Sequence, residues 1–274
     1  MKHKYRAGGL ADKKPQALRT GRPRKRFGQH FLHDRNAINK ILLAVAPTPG
    51  DFVVEIGPGR GALTLRLLAR CGRLTVVELD RDLIAPLAAS TAGQGELRII
   101  AGNALDIDYR TLVTPPAKLR LVGNLPYNIS TPLLFHMLTQ ADAIRDMHFM
   151  LQKEVVQRMA ATPGSKSYGR LTVMLAARCR VEPLFHIGGG GFTPPPHVDS
   201  SFVRLTPFTA PPFEIRDTAR FALVVRTAFS QRRKTLRNAL RAVVEEPVIR
   251  AAGLDPAARP ETLSAAEFAR LANA

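Results

Sequence analysis

Four consecutive residues, Asn124-Leu125-Pro126-Tyr127, follow an apolar run and carry groups that suit chemistry on an aromatic amine. The side-chain carbonyl of Asn124 and the backbone carbonyl of Leu125 can accept both hydrogens of an exocyclic amino group, which localises and orients the nitrogen lone pair. Pro126 stiffens the loop, and Tyr127 can stack on a base that has left its helix. The motif predicts catalytic roles for all four residues in a reaction at an amine such as N6 of adenine. In isolation, a proline-terminated turn with a core tyrosine explains it equally well.

A second aromatic residue, Phe192, lies between a glycine run and a proline run. It directly follows Gly188–Gly191 and precedes Pro194–Pro196, so a rigid extended segment comes after a flexible one. This arrangement predicts that Phe192 forms the opposite side of a base sandwich and shares the catalytic site. The alternative is a phenylalanine that anchors the loop on the core.

A glycine-rich turn and a later carboxylate predict a nucleoside-binding site. Gly57, Gly59 and Gly61 follow the apolar run that contains Glu55, and glycine permits both the sharp bend and the close approach of a ligand. Glu78 ends the next apolar run, 21 residues after Gly57, where a carboxylate can accept both hydroxyls of a ribose. Nicotinamide dinucleotides favour a GxGxxG turn. The GxGxG spacing here, with an acid before it, resembles instead the turn of class I methyltransferases, which holds the amino-acid end of S-adenosylmethionine.

The pattern of apolar runs predicts the fold class. Five short runs alternate with stretches of helical periodicity, about 20–25 residues apart, which is typical of parallel strands joined by crossover helices. These runs are Phe52–Ile56, Leu74–Glu78, Leu97–Ala101, Leu119–Val122 and Met147–Leu151. Val181–Ile187 and Val198–Leu205 lie close together and predict an antiparallel pair at the sheet edge. We therefore expect an α/β protein with a Rossmann-like, mostly parallel sheet, and an amphipathic helix that Asp34 caps and Pro47 stops.

The distribution of charge and composition along the chain predicts its domains and the kind of partner that it binds. The 274 residues hold 40 Lys and Arg against 22 Asp and Glu, a net charge of +18. Residues 1–26 carry ten of the basic residues and one acid, so we expect a disordered tail. Residues 27–206 should form the α/β domain, and residues 207–274, which begin in a proline-rich stretch, a helical C-terminal domain. Such a basic chain suits nucleic acid as a partner, although a tail that only solubilises the protein is the alternative.

Other features exclude several classes of protein. No apolar run approaches the ~20 residues that a membrane span needs, and the N-terminus lacks the apolar stretch of a secretory signal. Cys71 and Cys179 stand apart from each other and from any histidine pair, which indicates a reducing compartment and no metal site. The sequence therefore predicts a soluble cytoplasmic protein without metal, and nothing in it demands more than a monomer.

One stretch near the C-terminus concentrates basic residues in a segment that favours helix. Its six cations are Arg226, Arg232, Arg233, Lys234, Arg237 and Arg241. In a single helix, Arg233, Arg237 and Arg241 would share one face. Against the strongly basic background, we expect Arg232, Arg233, Lys234 and Arg237 to bind the phosphate backbone of RNA. A solvated basic face is the alternative.

The order of motifs along the chain resembles one known family. The segments are Lys25–Leu32, Glu55–Gly61, Val77–Asp80, Asn124–Tyr127, Leu151–Val155, Tyr168–Leu171, Phe192–Ser200 and Phe229–Asn238. Together, from about Arg24 to the C-terminus, they are similar to the bacterial small-subunit (16S) ribosomal RNA adenine dimethyltransferase family. The resemblance implies an S-adenosylmethionine-dependent enzyme that dimethylates N6 of two adjacent adenosines, in a hairpin near the 3′ end of the RNA. It also implies action on a pre-assembled small subunit, and a class I methyltransferase domain followed by a small helical domain.

The resemblance and the glycine turn together imply a set of cofactor-binding residues. They are His30, Leu32, Gly57, Gly59, Glu78, Asn103 and Asn124. Position 30 is commonly Asn in the family, and position 103 is commonly Asp, which holds the adenine amino group of the cofactor. Asn103 keeps a carbonyl acceptor without the charge, so we expect weaker cofactor binding rather than its loss.

Two other functions stay open. One is a ribosome-assembly protein whose main role is docking on the immature subunit, with methylation incidental. The other is a DNA adenine methyltransferase. Such enzymes usually carry a second proline where Leu125 stands, and the chain has no recognisable target-recognition domain.

Overall fold

The computed structural model describes residues 29–126 and 129–274, so the predicted tail at residues 1–26 lies outside the described residues, as does Tyr127. In the described part of the chain, the strands are β1 (Phe31–Leu32), β2 (Phe52–Ile56), β3 (Arg73–Glu78), β4 (Glu96–Ala101), β5 (Leu119–Asn124), β6 (Ile144–Gln152), β7 (Cys179–Ile187), β8 (Phe192–Thr193) and β9 (Ser200–Pro207). The helices are α1 (Arg35–Val45), α2 (Thr64–Cys71), α3 (Arg81–Thr91), α4 (Ser130–Leu138), α5 (Lys153–Met159), α6 (Arg170–Ala176), α7 (Thr218–Ser230), α8 (Leu236–Leu240), α9 (Glu246–Ala251) and α10 (Ala265–Asn273).

Seven strands form the central sheet, in the order β4-β3-β2-β5-β6-β9-β7. The first five in this order are parallel, whereas β9 runs antiparallel to both β6 and β7. The apolar runs of the sequence fall on these strands, with bounds that differ by a few residues. The predicted α/β class, with a mostly parallel sheet and an antiparallel edge pair, is confirmed.

The strand order reverses beside β2, whose neighbours are β3 and β5. In open α/β sheets, the carboxyl ends of strands at such a point border the crevice that binds ligands. The register pairs Ile56 with Gly123 at this end. A Cβ on Gly123 would lie only 2.5 Å from the carbonyl oxygen of Ile56, so this approach requires glycine. The turn after β2 and the loop after β5 therefore meet in space.

Helices cover both faces of the sheet. Residues of α1, α2 and α3 pack on one face, and residues of α4, α5 and α6 pack on the other. Asp34 caps α1, as predicted, because its carboxylate accepts the backbone N–H groups of Asn36 and Ala37 at 2.8 and 3.2 Å. The helix ends at Val45, just before Pro47. The two layers thus bury the sheet and leave its carboxyl edge for the site.

The C-terminal helices build a core of their own. The residues of α7 to α10 pack around Phe221, Leu236 and Phe268, and Tyr168 and Val173 join them from the region of α6. Strand β9 ends beside the predicted boundary between residues 206 and 207. Whether the two segments are separate domains stays a prediction.

The single basic helix expected over residues 226–241 is wrong. Helices α7 and α8 are separated by residues 231–235. The backbone N–H of Leu236 donates to the carbonyl of Ala258 at 2.8 Å, and this bond turns the chain so that Leu236 is buried in the C-terminal core. Arg233 therefore lies in the turn between two helices and not on the shared helix face that was expected.

Neither a membrane span nor a metal site is found among the described residues. None of their helices has the length and apolar character needed to cross a membrane. They also contain no cluster of three or more His, Cys, Asp or Glu residues that would hold a metal ion. Cys71 and Cys179 are both buried thiols without a disulfide.

A buried ion network ties β5 to its surroundings. Arg120 is 6% exposed and donates to Asp146 on β6 and to Asp51 before β2, both at 3.0 Å. It also donates to the backbone carbonyl of Val45 at the end of α1, at 2.7 Å. The network fixes the amino end of the strand whose carboxyl end carries Asn124.

Arg120→Met should lower the free energy of unfolding by about 3–5 kcal/mol, because it leaves Asp146 buried without a cation and leaves Asp51 with only the exposed Arg145, at 3.3 Å. Urea unfolding followed by circular dichroism measures the loss. Arg98→Met, at an exposed position on β4, is the control and should change the unfolding free energy by less than about 0.5 kcal/mol. If both variants unfold at the same urea concentration as the parent protein, the network does not hold the strand.

Candidate functional site

A large cavity opens at the carboxyl ends of β2, β3 and β5. Its volume is about 1250 Å³, counted with the open mouth. All seven residues predicted to bind the cofactor line it, namely His30, Leu32, Gly57, Gly59, Glu78, Asn103 and Asn124. Three predicted catalytic residues, Asn124, Leu125 and Pro126, line the same cavity. The fold thus brings together His30 and Asn124, which are 94 positions apart in the chain.

The glycine turn after β2 packs against residues 29–32, which we call the strap. Gly59 has a φ of 57°, and a Cβ there would lie 3.0 Å from Cδ1 of Phe31 in the strap. The guanidinium carbon of Arg60 lies 4.5 Å from the centroid of the same ring, within the range of a cation–π contact. The strap therefore forms one wall of the cavity and rests directly on the turn.

Glu78 ends β3 and reaches the same turn. One of its carboxylate oxygens accepts the backbone N–H of Gly59 at 3.1 Å, and the other accepts the N–H of Asp80 at 2.8 Å. Burial raises the pKa of Glu78 above its usual value, and the charge of Asp80 adds to the rise. Each oxygen has a second lone pair for a further donor. The carboxylate is thus oriented to accept ribose hydroxyls.

Glu55 lies in the cavity wall directly before the glycine turn. It is 2% exposed, and burial raises the pKa of its carboxyl to about 8, with the charge of Glu78 adding to the rise. The hydroxyl of Thr64, at the start of α2, donates to this carboxyl at 2.6 Å. Glu55 is therefore largely uncharged near neutral pH. From the sequence, Glu55 indicated only which type of glycine turn follows it. Its raised pKa could not be predicted, because the shift depends on burial in the fold.

Asn103, after β4, stabilises its own loop as well as lining the cavity. Its side-chain oxygen accepts the backbone N–H of Leu105 at 3.1 Å and caps the 3-10 turn Ala104–Asp106. Only the oxygen can accept this bond, so the orientation of the amide is fixed. The other end of the Asn103 side chain is an NH2 group, which donates. An aspartate at this position would have a second oxygen there, which accepts. This is a physical reason to expect a weaker hold on an amino group.

His30 and Asn124 are joined through the strap. The side-chain nitrogen of Asn124 donates to the backbone carbonyl of His30 at 2.8 Å. The Nδ1 atom of His30 lies 2.8 Å from the carbonyl oxygen of Pro194, and since a carbonyl only accepts, Nδ1 carries the hydrogen. The histidine that replaces the usual asparagine thus uses one ring nitrogen on a neighbouring loop of the protein.

Phe192 does not line the cavity, and its predicted stacking on a base stays a prediction. The side chain is 2% exposed and packs in the core cluster that contains Leu32, Met150 and Phe202. Strand β8 pairs with β1 in the strap, and Phe192 lies opposite Leu32. The structure supports the alternative, in which Phe192 anchors its loop on the core.

The basic residues predicted to bind RNA differ in whether an acidic residue lies near their charge. Arg233 and Lys234 are exposed, and within the described residues they form no ion pair. Arg237 is also exposed, and its Nη1 atom lies 4.0 Å from Oε2 of Glu246. The turn between α7 and α8 therefore presents two uncompensated cations to solvent.

Arg232 is directed toward the body of the protein. Its Nη2 atom donates to the backbone carbonyl of Ser165 at 3.2 Å, and its Nε atom lies 3.6 Å from Oε2 of Glu261. This residue connects the turn between α7 and α8 to the loop before α6. A direct contact of Arg232 with RNA would have to compete with both of these partners.

Comparison with known proteins shows which family this chain is similar to. A family model described as ribosomal RNA adenine dimethylase matches residues 21–274. The ribosomal RNA small subunit methyltransferase A of Xanthomonas campestris pv. campestris (strain B100) is 58% identical over 250 residues, which cover 91% of this chain and 95% of that protein. The protein of the same name from Pseudomonas aeruginosa is 55% identical over 252 residues, with 92% and 94% covered.

Two solved structures share the fold. A dimethyladenosine transferase from Plasmodium falciparum gives a TM-score of 0.75 at 25% identity, and covers 88% of this chain and 96% of its own. The 23S rRNA methyltransferase ErmE gives a TM-score of 0.69 at 26% identity, with 89% and 98% covered. These likenesses confirm the predicted class I methyltransferase architecture.

The site and the comparisons agree on the class of protein. The cavity combines a glycine turn, a ribose-oriented carboxylate and an asparagine loop at a point where the strand order reverses. The predictions of an enzyme and of S-adenosylmethionine as its methyl donor are confirmed by the family match. The chain belongs to the ribosomal RNA adenine dimethylase family of S-adenosylmethionine-dependent methyltransferases.

Proposed function

We propose that this protein transfers methyl groups from S-adenosylmethionine to N6 of two adjacent adenosines, in a hairpin near the 3′ end of small-subunit rRNA, to give N6,N6-dimethyladenosine. One observation carries the proposal. The side-chain nitrogen of Asn124 is bound to the carbonyl of His30 at 2.8 Å, so the side-chain oxygen is the group that Asn124 keeps to accept a hydrogen bond at the cavity. The names of the curated relatives support the choice of RNA.

The loop after β5 can correct the weak nucleophilicity of an adenine amino group, whose lone pair is delocalised into the ring. The side-chain oxygen of Asn124 and the backbone oxygen of Leu125 accept the two N6 hydrogens and so localise the lone pair. No strong general base is required, because the nitrogen becomes acidic once it bears the new methyl group and its proton passes to water. We keep Tyr127, outside the described residues, as the residue that stacks on the base.

The other cavity residues fit the methyl donor. S-adenosylmethionine supplies an electrophilic methyl group on a sulfonium cation. Glu78 would accept the ribose hydroxyls, and Gly57 and Gly59 leave room for close approach along the turn. Leu79 is apolar yet 48% exposed, and it lines the cavity beside Glu78, where it offers a surface to the cofactor base. The carboxyls of Glu55 and Glu78 in the wall suit a cation, because a cation there favours their ionised forms.

RNA binding is assigned to the turn between α7 and α8. Arg233 and Lys234 would contact phosphates, since they are exposed cations without an acidic partner among the described residues. Arg237 would add a weaker contact because Glu246 lies near it. Arg232 would contribute indirectly, since its bonds to Ser165 and Glu261 hold the turn in place.

The setting of the reaction is also a proposal. We place the protein in the cytoplasm, acting as a monomer on rRNA within a pre-assembled small subunit, late in assembly. The two buried thiols without a disulfide are consistent with a reducing compartment. The resemblance of the ordered motifs to the small-subunit family supports the pre-assembled subunit as substrate.

Asn124→Ala should lower methyl transfer by at least about 100-fold, because the amine loses an acceptor that orients it. The assay uses labelled S-adenosylmethionine, small subunits from a strain that lacks the modification, and digestion of the RNA to nucleosides. The parent protein should yield dimethyladenosine. Asn39→Ala, at an exposed position on α1, is the matched control and should keep full activity.

Two results would contradict the proposal. Monomethyladenosine as the only product would remove the claim of dimethylation. Unlabelled RNA, from a protein that binds both the cofactor and the subunit, would favour the assembly-protein alternative. In that case, Glu78→Ala should dock on the subunit as tightly as the parent protein.

Affinity for S-adenosylmethionine, relative to S-adenosylhomocysteine, should rise as the pH is raised from about 6 to about 8. Burial raises the pKa of Glu55 to about 8, and a cation in the cavity favours its ionised form. Binding of the sulfonium therefore releases a proton, which is easier at higher pH, whereas the uncharged thioether has no such effect. Calorimetric titration in several buffers measures both affinities. Glu55→Gln should flatten the ratio, and identical pH profiles for the two ligands in the parent protein would refute the coupling.

Arg233→Gln and Lys234→Gln should each weaken RNA binding and lower the slope of log affinity against log salt by roughly 0.7–0.9. Filter binding to the small subunit at several salt concentrations provides the slope. Arg98→Gln, on the far edge strand β4, is the charge-matched control and should leave it unchanged. Arg232→Lys should keep the slope while lowering thermal stability, because it keeps the charge and loses the bond to Ser165. A slope lowered equally by all four variants would place no RNA at this turn.

A further inference from the structure

We propose that His136 and Gln140 are positioning residues for the cofactor, and that they hold the loop after β4 in the place where it meets the base of S-adenosylmethionine. The inference rests on the proposed function, in which the cofactor occupies the cavity with its base beside Asn103. Neither His136 nor Gln140 is among the described residues that line the cavity. Both act through residues 103–109, which we call the base loop.

The base loop reaches the cavity with its first two residues. Asn103 and Ala104 line the cavity, and the side-chain oxygen of Asn103 caps the turn Ala104–Asp106. At the other end of the loop Tyr109 is fully buried, and its hydroxyl donates to the carbonyl of Ala104 at 3.0 Å. Burial raises the pKa of Tyr109 above its usual value, so the hydroxyl keeps its hydrogen and stays a donor. The cavity end of the loop is thus bound to its buried end.

Gln140, just beyond the end of α4, fixes the buried end of the base loop with both ends of its amide. Its Oε1 atom accepts the backbone N–H of Tyr109 at 2.6 Å, and its Nε2 atom donates to the carbonyl of Ile107 at 3.3 Å. Gln140 is 4% exposed, and burial of an amide is costly unless its polar atoms are hydrogen-bonded. An apolar side chain here would leave the N–H of Tyr109 buried without its acceptor.

His136, one turn earlier on α4, binds the same carbonyl. Its Nε2 atom lies 2.8 Å from the oxygen of Ile107, and since a carbonyl only accepts, Nε2 carries the hydrogen. A carbonyl oxygen has two lone pairs and can accept from His136 and Gln140 together. The imidazole also packs against the ring of Tyr109, with the ring centroids 5.9 Å apart. The two side chains therefore hold the base loop at both Ile107 and Tyr109.

The helix that carries these contacts begins beside the loop that would orient the amine. The backbone N–H of Ile129 donates to the carbonyl of Pro126 at 3.2 Å, and the N–H of Leu133 donates to the carbonyl of Ile129 in the first turn of α4. Pro126 and Ile129 both line the cavity. Helix α4 thus sets where the base loop lies relative to the loop that follows β5.

The other parts of the cofactor would be held by other elements. The glycine turn borders its amino-acid end, and Glu78 is oriented toward the ribose hydroxyls. A displaced base loop should therefore weaken the binding of the cofactor while leaving the sulfonium in place for transfer. This separation distinguishes a positioning role from a general loss of stability.

The test measures the base loop and the cofactor affinity separately. Gln140→Leu removes both bonds of the amide, and His136→Phe keeps an aromatic ring while it removes the donor. Gln157→Leu, the same substitution at an exposed position on α5, is the matched control for Gln140→Leu. Hydrogen exchange of peptides that span residues 103–109, followed by mass spectrometry, reports on the loop. Calorimetric titration with S-adenosylhomocysteine gives the affinity, methyl transfer gives kcat and KM, and thermal unfolding shows that each variant is folded.

Gln140→Leu should speed exchange in the base loop at least about tenfold and weaken S-adenosylhomocysteine binding by about 5- to 20-fold, because the loop loses two of its supports. His136→Phe should produce smaller changes of about 2- to 5-fold, since Gln140 still binds Ile107, and it covers the case in which Gln140→Leu does not fold. The KM for S-adenosylmethionine should rise in parallel, with kcat and the KM for small subunits within about twofold of the parent protein. Gln157→Leu should match the parent protein in every measurement.

Two results would overturn the inference. One is unchanged affinity for S-adenosylhomocysteine in the folded variants, whether or not the base loop exchanges faster. The other is a lower kcat with unchanged affinity, since His136 and Gln140 would then act on the amine and not on the cofactor.

Failure of the proposed function gives different results. If Asn103→Ala binds S-adenosylhomocysteine as tightly as the parent protein, the base does not lie beside Asn103. If the parent protein binds S-adenosylhomocysteine yet transfers no methyl group to rRNA, the proposed reaction is wrong. In that second case, affinity and hydrogen exchange still decide the role of His136 and Gln140.

Discussion

The pairing of β2 with β5 is the constraint on which the rest of the site depends. Where the two strands end, Gly123 approaches the carbonyl of Ile56 so closely that a Cβ would lie 2.5 Å from it. This contact places the glycine turn and the Asn124 loop side by side, and a Cβ on Gly57 would lie 3.9 Å from the backbone oxygen of Asn124. At the other end, the buried guanidinium of Arg120 fixes β5. The glycine turn and the Asn124 loop therefore form adjoining parts of one cavity wall.

The features that could be predicted from the sequence are those fixed by near neighbours. Asp34 caps a helix whose amides lie two and three residues away, and the glycine turn is decided by its own backbone. The features that could not be predicted depend on distant partners. Phe192 is buried because Leu32 lies opposite it in a two-stranded ladder, and the expected basic helix is interrupted because Leu236 binds the carbonyl of Ala258. Contacts between residues so far apart in the chain leave no periodic pattern in the sequence. The sequence therefore predicted where the site lies but not the contacts that support it.

Charge is distributed in opposite senses on the surface and in the cavity. The chain carries a net charge of +18, and exposed cations such as Arg233 and Lys234 attract a polyanion. The cavity wall contains the carboxyls of Glu55 and Glu78 instead, and burial raises the pKa of both. A cationic ligand in the cavity would favour the ionised form of Glu55, whose burial otherwise favours the uncharged carboxyl. The same protein thus suits an anionic macromolecule outside and a cationic small molecule inside.

The fold does not by itself decide which RNA is methylated, since ErmE, named for 23S rRNA, shares it at a TM-score of 0.69. Selection must then lie in surfaces around the cavity and in how firmly they are held relative to it. Here the basic turn is tied to the body by Arg232, and the hydroxyl of Tyr168 donates to the carbonyl of Leu263 at 2.6 Å within the shared core. These contacts join the C-terminal helices to the region of α6 by packing rather than by a linker. The turn between α7 and α8 is consequently held in a defined position on the body of the protein.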